Sequence, residues 1–168
     1  MADFKLNGVT FASESGGVVS LSNANIFPAG HIVQTKTAVK TTAVASGALT
    51  SGSWVQTGLS VDITPKFNNS KIYLLHVVAI IVNNASYHGL RIQRTAPTTL
   101  ELRAAWGYDD YAVWSTGLSA CMGFDLPNTL SQCTYNVQAL KQQNSMYWNY
   151  AGTGGPHEAQ LIAMEIKE

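Results

Sequence analysis

At 168 residues the chain is the size of one domain, large enough for a full hydrophobic core and too small for two comfortable ones. Only 12% of its residues are charged, 10 basic against 10 acidic, so the formal net charge is zero and nothing steers it towards nucleic acid or an acidic membrane. With 46% hydrophobic residues on a neutral chain, apolar surface is expected to be used in assembly, and the many Thr, Ser, Asn and Gln side chains to act by shape and hydrogen bonding.

The first eight residues, M-A-D-F-K-L-N-G, have no basic region followed by an apolar core, so no signal peptide is expected. Residues 1–30 carry two short period-2 patterns, Phe4, Leu6, Val9 and Phe11, then Val18 and Leu21, parted by Gly16–Gly17 and closed by Ile26-Phe27-Pro28-Ala29-Gly30. Hairpin-sized pieces bury little alone. They predict an N-terminal arm that a partner orders, attached through Phe4, Leu6, Val9 and Phe11; the alternative is a set of edge strands in the main sandwich.

From His31 to Glu168 strand-sized segments recur, which predicts a single knob. His31–Val39 is followed by a Ser/Gly/Thr-rich turn through Ala45–Ser53. Trp54–Gln56 runs through Gly58, an expected bulge or bend, into Leu59–Thr64, with Leu59, Val61 and Ile63 facing inward. Pro65-Lys66-Phe67-Asn68-Asn69-Ser70 is a turn by residue chemistry, since proline sets φ and the Asn pair tolerates left-handed geometry.

Lys71–Val82 then forms the only long apolar run, rich in β-branched residues. Alternation puts Ile72, Leu74, His76, Val78, Ile80 and Val82 on one face and Tyr73, Leu75, Val77, Ala79 and Ile81 on the other. A strand with one wet face alternates apolar and polar residues; this one does not, so both faces are expected to be covered. A second sheet covers one. The other, through Tyr73, Leu75, Val77 and Ile81, is expected to be the interface of a homotrimer. At twelve residues with a histidine the run is too short to span a bilayer.

Asn83–Ser86 turns the chain, and Tyr87–Arg94 returns with Leu90 and Ile92 inward. Leu100–Trp106 follows, and Gly107-Tyr108-Asp109-Asp110 is read as the next reversal. Tyr111–Trp114 and Ser119–Asp125 supply strand broken at Gly117; Gln132–Leu140, Met146–Tyr150, a Gly152–Pro156 turn and Ala159–Ile166 complete the chain. No segment shows a capped helical stripe. The expected fold is all-β: an antiparallel β-sandwich or jelly roll with an extended N-terminal arm.

The blocks G-H-I-V-Q-T (30–35) and W-V-Q-T-G-L-S-V-D-I-T-P (54–65), followed closely by S-K-I-Y-L-L (70–75), resemble a module of virion surface proteins in tailed bacteriophages, especially those of cyanobacteria. L-N-G-V-T-F-A-S-E-S-G-G-V-V-S-L, N-I-F-P-A-G-H, D-L-P-N-T-L-S-Q-C-T-Y-N-V-Q and L-I-A-M-E-I fit the same pattern, so the resemblance covers nearly the whole chain. It departs at K-F-N-N (66–69), where the family's turn is Ser/Thr-rich, and at Cys121 in an unusually apolar strand. The resemblance implies a trimeric β-sandwich head at the virion surface, made in the host cytoplasm, and supplies no catalytic residues.

Candidate chemistry is sparse. Asp109 and Asp110 are adjacent, so on a strand they point in opposite directions and do not flank one glycosidic bond; Asp125 stands alone. His31, His76, His88 and His157 lack ligand spacing, and Cys121 and Cys133 form no C-x-x-C pair, so no metal, cofactor or catalytic residue is expected. His76 reads as a hydrogen-bonded core or interface histidine. The cysteines suit either one disulfide or, as the favoured reading, two thiols in a reducing compartment. Gly152-Thr153-Gly154-Gly155-Pro156 has proline where a phosphate loop needs a helix-opening amide.

The aromatics Trp106, Tyr108, Tyr111 and Trp114, and Tyr147, Trp148 and Tyr150, flank two expected turns. Trp106, Tyr108 and Tyr111 are candidates for stacking on a host glycan, with burial in a core or interface as the favoured alternative. Two functions follow: a non-enzymatic capsid decoration (cement) or short head-fibre protein that binds the major capsid protein or another virion protein, or the receptor-binding tip of a tail fibre that recognises host polysaccharide. The chain has neither heptads nor shaft repeats, which favours the capsid.

Overall fold

The structure, a computed structural model, describes every residue except 1, 7–8, 16–17, 22–27, 84–85, 110–114 and 151–156. Among the described residues it is all-β: twelve strands, one 3-10 turn at Ser46–Ala48 and no α-helix. β1 (Ala2–Leu6), β2 (Val9–Ser15) and β3 (Val18–Leu21) form an antiparallel sheet of their own, in the order β1-β2-β3. Phe4 and Leu6 lie on β1, Val9 and Phe11 on β2; their side chains are outside the described set.

Residues 31–168 build two antiparallel sheets packed as a sandwich. One holds β4 (Ile32–Lys40), β6 (Lys71–Asn83), β9 (Ser115–Asp125), β11 (Ser145–Trp148) and β12 (Ala159–Ile166). β6 is its axis: β9 pairs along one edge, while β12 and then β11 share the other, and β4 pairs with β12. The second sheet has the order β5-β10-β7-β8, with β5 at Val55–Ile63, β7 at Ser86–Ala96, β8 at Leu100–Asp109 and β10 at Cys133–Lys141.

The core lies between them. Ile72, Leu74, Val78, Ile80 and Val82 of β6 meet Leu59, Val61, Ile63, Leu90, Ile92, Tyr135 and Val137 of the opposite sheet in one buried cluster. For β5, β6 and β7 that is the inward row which alternation assigns; Tyr135 and Val137 of β10 are added by the structure. Gly58 takes φ +76°, and the β5–β10 register shifts beside it, so three residues of β5 oppose Val137 alone. The segment between β4 and β5 crosses the end of the sandwich: Val44 bridges to Trp148 of one sheet, Ser51 to Lys141 of the other, and Leu49 is buried between.

Two expected breaks are absent. β8 continues through Gly107 and Tyr108 to Asp109, which pair with His88, Tyr87 and Ser86. Glycine serves here as clearance, since a Cβ at Gly107 would collide with the His88 ring. β9 likewise runs unbroken through Gly117, paired with Ile80. Tyr111–Trp114 and the Gly152–Pro156 turn lie outside the described residues.

Two buried polar groups tie distant parts together. Asp125 of β9 accepts from Arg94 of β7 at 2.6 Å and from the Tyr135 hydroxyl of β10 at 2.9 Å, linking the two sheets. Burial pushes the Tyr135 hydroxyl pKa up, with Asp125 adding to the shift. Glu165 of β12, fully buried, accepts from the Lys66 and Phe67 amides at 2.7 and 3.2 Å, the Ser70 hydroxyl at 2.6 Å and the Gln34 amide at 2.6 Å. The 65–70 turn is thereby fastened to the last strand.

Glu165→Ala leaves those donors without their acceptor and is expected to cost about 2–4 kcal/mol, read as a lower urea midpoint at unchanged slope. Glu165→Gln, which keeps one acceptor, should fall between the two.

Candidate functional site

The outer face of the β6 sheet carries the strongest surface feature. Register places Tyr73 between Phe124 and Met164, Leu75 between Met122 and Ile162, and Val77 between Ala120 and Gln160. Thr35, Thr37 and Val39 of β4 extend these three rows, and no residue in them is charged. Leu118 is 82% exposed, Met122 66%, Phe124 55%, Tyr73 43% and Val77 37%. Together they present on the order of 500 Å² of contiguous side-chain surface, at the upper range of what soluble monomers leave open.

The rings of Tyr73 and Phe124 lie 6.2 Å apart, and Lys71 Nζ sits 5.6 Å from the Phe124 centroid at the rim of the patch. A concavity of about 550 Å³ opens on the same face, lined by Val77, Ala79, Gly117, Leu118, His157 and Glu158. Of the residues expected to face a partner, Tyr73 and Val77 are open and Leu75 is half-buried. Ile81 is 2% exposed within its own chain, so it lies outside the open part of the face. Leu118, Met122 and Phe124 were not singled out in the sequence; alternation from the buried Cys121 and Asp125 was the signal that points them outward.

The opposite sheet has a different outer face. Trp106 is 55% exposed there, beside Trp54, which the sequence did not flag; the two rings are 5.4 Å apart at 64°. Tyr108 lies on β8 with its side chain outside the described set, and Tyr111 is outside the described residues altogether. Trp148 is fully buried, and Tyr147 and Tyr150 pack on each other at 5.6 Å.

The remaining candidates are absorbed into the framework. Asp125 is held by Arg94 and Tyr135. Asp109 is a strand residue and Asp110 is outside the described set. Cys121 and Cys133 are buried and unbridged, and burial pushes the Cys133 thiol pKa up. Among the described residues no group of three or more His, Cys, Asp or Glu is arranged to hold a metal ion, and no helix is long and apolar enough to cross a membrane.

His76 sits in the core. Its Nδ1 donates to the Gln160 carbonyl at 2.7 Å, its ring stacks 5.8 Å from that of Trp148, and Nε2 has no hydrogen-bond partner among the described residues. Burial lowers its pKa from 6.5 to about 4, the Gln160 carbonyl opposing only part of the effect.

Neither family models nor curated proteins give a match to this chain.

A histidine held neutral in the fold takes up a proton more readily once unfolded. Stability is therefore fully present above pH 6.5 and lost as pH falls towards 4, by about 3 kcal/mol from this group. Denaturant titrations from pH 7 to 4.5 should show this loss, and His76→Leu should flatten the slope across that window, whatever its effect at pH 7.

Proposed function

We propose that the chain is a non-enzymatic structural protein of a tailed-phage virion, a homotrimer that decorates the capsid or forms a short head fibre. The observation that carries assembly is the uncharged apolar face over β9 and β6. Around a threefold axis such a face meets a neighbouring copy heterologously, removing the same surface from water three times. The placement on a virion rests on the sequence resemblance carried by residues 54–65 and 70–75. Adjacent strands β4, β12, β6 and β9 in one sheet and β5, β10, β7 and β8 in the other support reading the sandwich as a jelly roll.

Residues 1–30 are the attachment arm in this proposal. β1–β3 pair with one another, and burying Phe4, Leu6, Val9 and Phe11 on a virion partner would help offset the ordering cost of about 1–2 kcal/mol per residue. Three arms on one trimer multiply a weak contact with the major capsid protein or another virion protein through effective concentration. The second reading, a tail-fibre tip for host polysaccharide, has the exposed Trp106 in its favour.

Native mass spectrometry at micromolar concentration should find a trimer, and Val77→Asp should dissociate or aggregate it by placing three carboxylates in the interface. A monodisperse wild-type monomer defeats the assembly reading. On purified particles, hundreds of copies identify a shell protein and a few identify the tail. Protein lacking residues 2–28 should remain trimeric and fail to rebind particles made without it; rebinding as tight as the full chain would move attachment to the knob.

A further inference from the structure

From the outer face of the β5-β10-β7-β8 sheet we infer a binding site for neutral oligosaccharide, centred on Trp54, Trp106 and Arg91. The inference rests on the second reading above, to which it gives a site and a ligand class, and it is independent of the proposed trimer assembly, which uses the other sheet.

The site is built by a missing side chain. Gly89 of β7 pairs with Trp106 of β8, and a Cβ at Gly89 would lie 2.8 Å from Trp54 and 3.3 Å from Trp106. Glycine thus lets two indoles settle on the strand backbone and meet edge to face, with their rings inclined at 64°. One strand position pair further along the same face, Arg91 lays its guanidinium 4.6 Å from the centroid of Trp54. That guanidinium also donates to Gln138 of β10 and pairs with Glu101 of β8, so its orientation is fixed from three sides.

The result is a corner of two aromatic walls beside planar polar groups held in place. Arg91 covers Trp54, which leaves the Trp106 face, 55% exposed, as the open stacking surface. Tyr87, 56% exposed and two residues before Gly89, continues the aromatic strip along the strand. Gln56 and Ser60 of β5 and Thr134 and Asn136 of β10 lie on outward positions by register, as does Gln93 of β7 itself.

This chemistry fits a pyranose chain. The C–H face of a sugar ring is apolar and stacks on indole, while its hydroxyls need the paired donors and acceptors that amides and a carboxylate supply. The charge of Arg91 is matched by Glu101, and the further charge in these rows is the Asp62 carboxylate against Thr134, so among the described side chains no unpaired cation stands beside the indoles for a sulfated or sialylated sugar. An apolar protein partner is poorly served by a face so rich in hydrogen-bonding side chains, each of which would have to be desolvated.

Tryptophan fluorescence and calorimetry of the full-length protein against tetra- to hexasaccharides of neutral α- and β-linked glucans, mannans and galactans provide the test. Saturable binding by at least one class is expected, with quenching of the emission. Trp106→Ala should weaken it by about tenfold or more while the protein stays folded by circular dichroism at the assay temperature, and Trp106→Phe should restore part of the affinity. Absence of binding across the panel, binding that survives Trp106→Ala, or a preference for sulfated or sialylated oligosaccharides would each overturn the inference. Native mass spectrometry reports separately on the trimer, so the two readings fail independently.

Discussion

β6 is hydrogen-bonded on both edges over nearly its full length and covered by a hydrophobic core on its inner face. From Ile72 to Val82 it pairs with β9, and its other edge is divided between β12 and β11. A strand so enclosed cannot shift register by one residue without turning Ile72, Leu74, Val78 and Ile80 outward and His76 with them. The rest of the sandwich takes its alignment from that constraint. The register of β9 on β6 sets which β9 residues face out, so Cys121 and Asp125 are buried while Leu118, Met122 and Phe124 form the outer patch.

The two outer faces divide the chemistry of the molecule. On the β6 sheet the outward rows are Phe, Tyr, Met, Leu, Ile, Ala and Val with a few Thr and one Gln, and water is the only competitor for that surface. On the other sheet, amides and hydroxyls surround two indoles and one neutralised ion pair. Burial of apolar area is non-directional and suits a second protein surface; fixed polar groups beside aromatic rings are directional and suit a small hydroxylated ligand. Between the faces, the buried Arg94–Asp125–Tyr135 link joins the sheets by hydrogen bonds whose geometry is more specific than that of the surrounding apolar contacts.

Much of this architecture was legible in the sequence. The alternation along Lys71–Val82, the inward Leu59, Val61 and Ile63, the bulge at Gly58 and the limits of the last strand all follow from period and turn chemistry. The differences share a cause: glycine in a sequence signals a break and a clearance alike, and Gly107 and Gly117 break no strand. Gly107 makes room for the His88 ring, and Gly117 pairs within an unbroken strand. Trp54 was overlooked because its neighbours, Thr50 to Ser53, read as a turn, and its partners on β7 and β8 are far off in the chain. Glu165 shows the same limit. Nothing around it indicates that its acceptors are spoken for by Gln34, Lys66, Phe67 and Ser70.

The strand order has a temporal consequence. Among the described residues β4 has no hydrogen-bonded strand neighbour except β12, and the register that joins them sets Ala38 against Leu161 and Gln34 against Glu165. During synthesis β4 is among the first sandwich strands to emerge and β12 the last, so β4 stays unpaired until translation of the domain is finished. Half of one edge of β6 waits for the same strand. Ordering that depends on such distant pairings is slow, because loop closure must precede any reward in contacts. Until β12 joins, that edge of β6, the most apolar strand, presents unpaired backbone groups of the kind that invite pairing with another chain.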